Sequence, residues 1–284
     1  MRAFSLIAAL IAALTTSTVH AEPLQTDHGL TFEAWTPAAF EEGRARYPLI
    51  VFSHGFGGCA RQSTFLTEAL AADGYLVVAP NHGDARCNRG GLRERFRPEE
   101  PFRDADAWND QTYRDRRDDV EALIAYVLSH EPYASHIDRA RIGLAGHSLG
   151  GYTVLGLGGA WPSWKDARVK AVLALSPFAT PYLEHGTLGT MQVPVMYQGG
   201  TLDLGVTPSV AKDGGVYDRS SAPKYFVEFR RAGHFAWTNL NPSFQRDINA
   251  YALAFFDRYL KGRPEALLEN RAPAGLADYR AEPR

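Results

Sequence analysis

A serine flanked by glycines is the first group in this sequence that could do covalent chemistry. Residues 146–150 are Gly-His-Ser-Leu-Gly and match the pattern G-x-S-x-G. The pattern follows an apolar segment, residues 141–145, that is predicted to be a strand, and it precedes a predicted helix. A serine at so sharp a turn needs small neighbours, and a helix N-terminus beside it favours developing negative charge. Ser148 is therefore predicted to be a nucleophile. The alternative is a Gly-rich turn that serves only helix–strand packing.

A serine hydroxyl is a poor nucleophile unless a base removes its proton. His234 suits that role because it follows a predicted strand, residues 224–229, and precedes the last predicted helix. His54 and His147 lie inside Gly-rich turns and His82 follows an earlier strand, so these histidines suit it less well. The base is therefore predicted to be His234.

The third group should be an acid that lies between the serine and the histidine in sequence. Residues 195–203, Val-Met-Tyr-Gln-Gly-Gly-Thr-Leu-Asp, run from an apolar strand through two glycines to Asp203. Catalytic groups collect at the carboxyl ends of strands in open α/β sheets. Asp203 is therefore predicted to orient His234 and to stabilise its imidazolium form. Asp213 and Asp218 are alternatives that lie farther from the strand end.

A tetrahedral oxyanion would need two backbone N–H donors. One is predicted at Leu149, directly after the serine. The other is predicted at Phe56, within residues 53–58 (Ser-His-Gly-Phe-Gly-Gly), because glycines let the backbone approach a substrate. A phosphate-binding loop is the alternative for this segment, but no Lys-Ser/Thr pair follows it and no G-x-G-x-x-G opens a helix.

The elements that must position these groups alternate along the chain. The predicted strands are residues 30–36, 48–53, 75–79, 141–145, 169–175, 193–197 and 224–229, and the predicted helices include residues 62–72, 114–129 and 242–259. This alternation predicts an α/β fold with a mostly parallel sheet and helices on both faces. No internal repeat or linker divides residues 22–263, which are predicted to form one domain, followed by a surface tail at 264–284.

The composition excludes several classes of protein. The 284 residues are 45% hydrophobic and 22% charged with a net charge of −2, as expected for a folded chain. The near-zero charge argues against nucleic-acid binding, which depends on clustered Lys and Arg. No apolar run of about 18 residues lies beyond the N-terminus, so no internal membrane span is expected. We expect a monomer.

The N-terminus has the pattern of a cleavable signal peptide, predicted over residues 1–21. Arg2 precedes an apolar segment at residues 4–14, and Val-His-Ala at residues 19–21 forms a small-residue cleavage signal. A buried N-terminal helix is the alternative. The pattern predicts export to the periplasm or the medium.

Export changes the interpretation of the two cysteines, Cys59 and Cys87. An even number of cysteines in an oxidising compartment suggests a disulfide. Both follow predicted strand ends, so a bridge between them is predicted. Two free thiols are the alternative, and no metal site is expected with so few cysteines.

The order of the motifs HGFGG, GHSLGG, GGTLD and AGH resembles that of the α/β-hydrolase family. Within it, residues 49–58 and 75–82 resemble secreted serine esterases grouped with dienelactone-hydrolase-like and platelet-activating-factor-acetylhydrolase-like proteins. The resemblance covers about residues 30–262. True dienelactone hydrolases use a cysteine nucleophile, whereas Ser148 stands here, which favours plain ester hydrolysis. Cutinases and polyester-degrading hydrolases share the general pattern.

The substrate side of the predicted site is less well defined. Residues 176–193 are too short for a large helical cap, so an open cleft is predicted, suited to short- or medium-chain esters, aryl esters or a polymer. Phe56, Phe178 and Trp237 are candidates for the cleft wall, with core packing as the alternative. The charged insert at residues 81–110 could border the cleft and favour anionic esters, or be a solvated loop. Its arginines are Arg86, Arg89, Arg93, Arg95, Arg97 and Arg103.

Three functions follow from these patterns. The first is a secreted serine carboxylesterase that needs no metal or cofactor. The second is a hydrolase of the same fold that cleaves a polyester or an amide. The third is a non-catalytic binding protein on the same scaffold.

Overall fold

The computed structural model describes residues 21–40, 45–86, 102, 104–269 and 275–283. Its strands are β1 (Ala21–Gln25), β2 (Thr31–Trp35), β3 (Tyr47–Ser53), β4 (Leu76–Pro80), β5 (Ile137–His147), β6 (Val169–Leu175), β7 (Val195–Gly200), β8 (Lys224–Phe229) and β9 (Leu276–Glu282). Its helices are α1 (Thr64–Ala72), α2 (Arg114–Ser129), α3 (Tyr133–His136), α4 (Leu149–Leu155), α5 (Thr180–Glu184), α6 (Thr207–Ala211), α7 (Val216–Arg219), α8 (Gln245–Leu260) and α9 (Ala266–Glu269). Short helical turns lie at Ala105–Ala107, Gly156–Ala160, Pro162–Trp164, Leu188–Thr190, His234–Trp237 and Pro242–Phe244.

The strands form one sheet in the order β1-β2-β4-β3-β5-β6-β7-β8-β9. The strands from β4 to β8 in that order are parallel, whereas β1, β2 and β9 run antiparallel to their neighbours at the edges. The carboxyl ends of the parallel strands therefore meet at one edge of the sheet, which is where ligands bind in such folds.

Helices cover both faces of the sheet because its central strands are apolar on both sides. In β3, Leu49 and Val51 pack in one core cluster and Ile50 and Phe52 in the other, and all four are fully buried. This alternation follows from the two-residue period of a strand. Helices α2 and α4 supply side chains to the first cluster, and α1 and α8 to the second. The predicted α/β class, with a mostly parallel sheet between helices, is confirmed.

The predicted elements of the central sheet agree closely with the structure. Strands β6 and β8 and helix α2 have the predicted bounds. Strand β5 is longer than predicted and runs directly up to the residue before Ser148. The predicted last helix is a 3₁₀ turn, Pro242–Phe244, followed by α8.

The prediction that residues 264–284 form a surface tail is wrong. Strand β9 pairs antiparallel with β8 over most of its length, and α9 precedes it. Leu276 is buried against the second core cluster. The domain therefore extends well beyond residue 263. Pairing with β8 stabilises a segment whose own sequence carries little strand signal.

Several predictions fall wholly or partly outside the described residues. The predicted signal peptide does so up to residue 20, and β1 begins at Ala21. Cys59 is buried in the turn after β3, but Cys87 lies outside the described residues, so the disulfide stays a prediction. Of the arginines in the charged insert, only Arg86 is described. Among the described helices, none has the length and hydropathy to span a membrane.

Candidate active site

Ser148 lies at a sharp turn between β5, which ends at His147, and α4, which begins at Leu149. Its backbone has φ 55° and ψ −115°, a conformation that L-residues rarely adopt and that costs on the order of 1–3 kcal/mol. The flanking structure must hold this strain. The turn puts the side chain at the carboxyl edge of the sheet, beside the N-terminus of α4.

The glycines around Ser148 are a steric requirement of this turn. A Cβ atom on Gly146 would lie 2.2 Å from the Gly150 carbonyl oxygen, and one on Gly150 would lie 1.9 Å from the Ser53 carbonyl oxygen. Both contacts are with backbone, which cannot move aside as a flexible side chain could. The close approach of β3, β5 and α4 therefore depends on glycine at both positions.

The structure brings Ser148, His234 and Asp203 together, and we call them the candidate triad. Ser148 Oγ lies 3.0 Å from His234 Nε2, and His234 Nδ1 lies 3.0 Å from Asp203 Oδ1. These partners imply that Nδ1 carries the ring proton and that Nε2 accepts from the serine. In this tautomer the imidazole is placed to remove the hydroxyl proton.

Each member of the candidate triad follows one of the parallel strands of the sheet. Ser148 follows β5, Asp203 lies in the turn after β7, and His234 opens the 3₁₀ turn after β8. A fourth strand, β3, ends next to the loop at residues 54–58. The sheet edge therefore assembles groups that are far apart in sequence.

Asp203 is held in its charged form although it is 2% exposed. Burial by itself would raise the pKa of this carboxyl, but hydrogen bonds from His234, Ser176 and Thr207 outweigh it and hold the pKa below its usual value. Thr207 Oγ1 donates to Asp203 Oδ2 over 2.9 Å. A buried carboxylate with this many donors is a fixed negative charge facing the imidazole.

Ser176, which joins the acid and the base, was not predicted from the sequence. Ser176 Oγ donates to Asp203 Oδ2 over 2.5 Å and lies 2.8 Å from His234 Nδ1, from which it accepts. Its φ of 43° is another uncommon conformation. The available signal was its position directly after β6, at the same sheet edge as the other polar groups.

His147, which directly precedes Ser148, contacts the backbone of His234 and the side chain of Gln62. Its Nε2 lies 2.9 Å from the His234 carbonyl oxygen, and its Nδ1 lies 3.1 Å from Gln62 Nε2. Burial, with a smaller contribution from the charge of His234, lowers the pKa of His147 to about 3, so the ring is neutral. Nε2–H therefore donates to the carbonyl and Nδ1 accepts from Gln62.

The predicted oxyanion donors lie on the two sides of Ser148. Leu149 is the first residue of α4, where backbone N–H groups have no partner within the helix. Phe56 lies in the loop at residues 54–58, in which Gly55 closely approaches the serine. A Cβ atom on Gly55 would lie 3.4 Å from Ser148 Cβ. Their role as oxyanion donors stays a prediction.

A cleft of about 430 Å³ opens over the candidate triad. It is mostly apolar, and one wall is aromatic, formed by Phe56, Phe102 and Phe178. The Phe102 and Phe178 rings meet edge to face with centroids 4.7 Å apart. The cleft is also lined by Leu202, Leu204, Gly205, Val206, Phe235 and Thr238.

The structure places the three predicted wall residues differently. Phe56 and Phe178 line the cleft as predicted. Trp237 does not line it, and that prediction is wrong. Its side chain is fully buried, its Nε1 donates to Gln198 Oε1 over 3.0 Å, and its ring packs on Phe229. The 3₁₀ turn that begins at His234 points Trp237 into the core, which sequence position alone does not show.

Other residues that line the cleft were not predicted from the sequence. Phe102 belongs to the charged insert, so this insert does border the cleft. Leu202 and Leu204 flank the acid, and Phe235 follows the histidine. Their signal was adjacency to predicted catalytic groups combined with apolar character in exposed turns. Among the residues that the structure describes, no cluster of His, Cys, Asp and Glu is arranged to hold a metal ion.

Comparison with protein-family models matches residues 50–284 to the Alpha/beta hydrolase family. The chain belongs to this family. Its sheet carries the candidate triad at the edge described above. The resemblance inferred from the motifs is confirmed at this level.

Two curated relatives are similar to this alpha/beta hydrolase. A platelet-activating factor acetylhydrolase from Gallus gallus is 24% identical over 204 residues, which cover 59% of this chain and 47% of that protein. Cutinase est1 from Thermobifida alba is 25% identical over 218 residues, which cover 75% of this chain and 61% of that protein. The chain therefore spans about half to three fifths of the length of these relatives.

Proposed function

We propose that this alpha/beta hydrolase is a secreted serine carboxylic-ester hydrolase. One observation carries the proposal: Ser148 Oγ, His234 and Asp203 are joined by two 3.0 Å contacts at the floor of an apolar cleft. The names of the two curated relatives, an acetylhydrolase and a cutinase, also support it. Secretion is proposed from the signal-peptide pattern at residues 1–21.

The first half of the proposed reaction forms an acyl-enzyme. Ser148 Oγ attacks the ester carbonyl carbon while His234 Nε2 takes the hydroxyl proton. The negative charge that develops on the carbonyl oxygen is stabilised by the backbone N–H groups of Phe56 and Leu149. Collapse of the tetrahedral intermediate breaks the bond to the alcohol, which leaves with the proton from His234.

The second half releases the acid. His234 removes a proton from water, and the hydroxide attacks the acyl carbon bound to Ser148. The second tetrahedral intermediate uses the same backbone donors, and Ser148 departs with the proton from His234. Asp203 stays ionised throughout and stabilises the imidazolium form. This proposed reaction needs neither a metal nor a redox cofactor.

The cleft favours apolar acyl or aryl groups of limited length. Its walls are phenylalanine, leucine and valine side chains, and its 430 Å³ would hold a short or medium chain but not a long one in full. We therefore propose short- to medium-chain or aryl esters as substrates.

The test is hydrolysis of p-nitrophenyl esters from acetate to palmitate by the chain without residues 1–21, beside its Ser148→Ala variant. We expect the highest kcat/KM at short to medium chains and a loss of about 10³-fold or more in the variant. Absence of Ser148-dependent turnover on every ester would reject the proposal and favour a binding protein. A maximum at palmitate would retain the serine chemistry but reject the chain-length argument.

A second candidate, cleavage of a polyester, is favoured by the rim of the cleft. Within the described chain, the large hydrophobic side chains that are well exposed are Leu202, Leu204, Phe235 and Leu240. Three of them line the cleft, and Leu240 donates its backbone N–H to Thr238, which also lines it. An exposed apolar patch around a reactive serine fits an insoluble apolar substrate.

The rim can be tested separately from the triad. Leu240 is 79% exposed and is not one of the residues that line the cleft, so a change of Leu240 to serine should disturb neither folding nor the acyl site. If the substrate is polymeric, release of acid from polycaprolactone particles should fall several-fold while kcat/KM for p-nitrophenyl butyrate stays the same. Equal loss on both substrates, or on neither, would reject the polyester candidate.

A further inference from the structure

A fully buried arginine, Arg116 on α2, lies under the loop at residues 54–58. A buried charge is costly unless it is paired and its donors are satisfied. Asp84 supplies the pair, with its carboxylate 2.9 Å and 3.1 Å from Arg116 Nη2 and 3.1 Å from Nε. The remaining donors are directed at the loop. Nη1 donates to the His54 carbonyl over 2.8 Å, and Nη2 donates to the Gly55 carbonyl over 3.3 Å.

The two histidines next to the guanidinium, His54 and His82, are neutral. Burial, together with the charge of Arg116, lowers the pKa of His54 to about 3 and that of His82 well below its usual value. His54 Nδ1 lies 2.7 Å from the Gly55 carbonyl oxygen, and Ser53 Oγ lies 3.5 Å from Arg116 Nη1. Arg116 and Asp84 therefore form an ion pair that contacts neutral histidines and packs against the loop.

Three backbone N–H groups of the loop already have acceptors within the protein. Gly57 N–H donates to Asp84 Oδ2 over 2.9 Å, and Gly58 N–H donates to the Gly55 carbonyl over 2.9 Å. Gly55 N–H donates to Gln62 Oε1 over 3.0 Å. These three glycine N–H groups therefore cannot serve a substrate oxyanion.

The orientation of one peptide follows from these contacts. In a trans peptide the N–H points away from the C=O of the same unit. The Gly55 carbonyl is turned towards Arg116, His54 and Gly58, so the Phe56 N–H of that peptide is turned to the opposite side. Gly55 itself is the part of the loop that approaches Ser148.

We propose that Arg116 and Asp84 are positioning residues that fix the Gly55–Phe56 peptide so that the Phe56 N–H faces the reacting carbonyl oxygen. The proposal rests on the proposed serine chemistry. The ion pair touches no substrate. It acts by preventing the peptide from rotating, and a donor that is fixed in advance needs no reorganisation when the oxyanion forms.

The effect should appear in the transition state and not in substrate binding. Removing one oxyanion donor outright costs ~10²- to 10³-fold in kcat, and a misaligned donor should cost less. For Arg116→Met and Arg116→Lys we expect kcat to fall by ~10- to 10²-fold with KM within about threefold of wild type. Lysine should not rescue, because it keeps the charge but loses the planar fork of donors.

The experiment compares these variants with a control ion pair elsewhere. Lys261 is 8% exposed and lies 2.8 Å from Asp257, on the far end of α8. Lys261→Met should lower the melting temperature and leave kcat unchanged. Each protein is assayed on p-nitrophenyl butyrate well below its melting temperature, and inhibition constants are measured for phenylboronic acid, which forms a tetrahedral adduct on the serine. The boronate constant should rise by the same factor as kcat/KM falls.

The double variant Arg116→Met with Asp84→Asn guards against misfolding, because it removes both charges and keeps an acceptor for Gly57 N–H. A lowered kcat with a weakened boronate in this variant, and neither change in Lys261→Met, supports the proposal. An unchanged kcat in a folded Arg116 variant, or a boronate constant that does not follow kcat/KM, overturns it while the proposed function stands. Absence of Ser148-dependent turnover in the wild type would overturn both.

Discussion

The candidate triad has a near copy inside the same molecule. Ser53 Oγ lies 2.9 Å from His82 Nε2, and His82 Nδ1 lies 2.9 Å from Asp119 Oδ2. We call these three residues the Ser53 network. The residue types, the atoms that meet and the distances nearly repeat those at Ser148. Connectivity alone therefore does not distinguish a nucleophile from a structural hydrogen-bond network.

The surroundings of the two sets differ in access. Ser53 is fully buried within β3 and the His82 side chain is 0% exposed, whereas the His234 side chain is 29% exposed and faces the cleft. Ser148 lies at a strained turn beyond the end of β5, whereas Ser53 is the last residue of β3 and belongs to the sheet. No substrate carbonyl can reach the Ser53 network.

The two histidines also differ in whether their surroundings can stabilise a positive charge on the imidazole ring. Burial, with a further contribution from Arg116, keeps the pKa of His82 well below its usual value, so the ring stays neutral beside Asp119. His234 faces a buried carboxylate, Asp203, that accepts several hydrogen bonds in its charged form. Only the second arrangement can stabilise the imidazolium that a general base becomes. The comparison teaches that the charge balance around the imidazole decides its role.

The largest expected effect separates the two serines. Ser148→Ala should lower kcat on p-nitrophenyl butyrate by about 10³-fold or more, with little change in melting temperature. Ser53→Ala should do the opposite: it should lower the free energy of unfolding by about 1–3 kcal/mol, because His82 Nε2 loses its buried partner, and leave kcat nearly unchanged. A similar loss of kcat in both variants would break the comparison.

The next effect separates the two acids. Asp203→Asn should lower kcat by ~10²- to 10⁴-fold, but by less than the serine change, since the acid orients the base and does not attack. Asp119→Asn should retain wild-type kcat, because an amide oxygen can still accept from His82 Nδ1. Activity of Asp203→Asn equal to that of the wild type would reject the assignment of this acid.

The smallest effect concerns pH and stability. Burial, together with the neighbouring Asp115 carboxylate, raises the pKa of Asp119 from 3.8 to about 6. The folded state therefore holds this proton more tightly than the unfolded chain, so the stabilisation is present at low pH and is lost as pH rises from about 4 through 6. As the pH rises from 4 to 7, the free energy of unfolding of Asp119→Asn should increase by on the order of 2 kcal/mol relative to that of the wild type.

Urea melts of both proteins across this range measure the Asp119 effect. A relative loss of stability by Asp119→Asn as pH rises would mean that the folded-state pKa of Asp119 lies below its unfolded value, so that this carboxyl, like Asp203, is held in its charged form. That outcome would remove the electrostatic distinction between the two histidines.

The sequence allowed much of the central sheet and the candidate triad to be predicted, because both depend on local signals. A continuous apolar run predicted β3, and mostly apolar runs predicted β6 and β8. The glycines around Ser148 are required by backbone contacts that no side chain could tolerate. Asp203 and His234 follow strand ends in an order that the topology fixes.

The remaining features depend on contacts between distant segments. Strand β9 exists through its pairing with β8, and Trp237 is buried because a 3₁₀ turn directs it to the core. The partners of Arg116 come from the loop at residues 54–58 and from Asp84, which precede it by more than thirty residues. No local pattern marks such an ion pair as a support for a loop.

The central claim is that Ser148, and not Ser53, is the reactive serine of this hydrolase. Reaction of the chain with a fluorophosphonate probe, followed by digestion and mass spectrometry, tests it directly. We predict one phosphonate adduct, on the peptide that contains Ser148, formed by the wild type and by Ser53→Ala and absent in Ser148→Ala. An adduct on Ser53, or a wild-type chain that takes up no probe, would contradict the account.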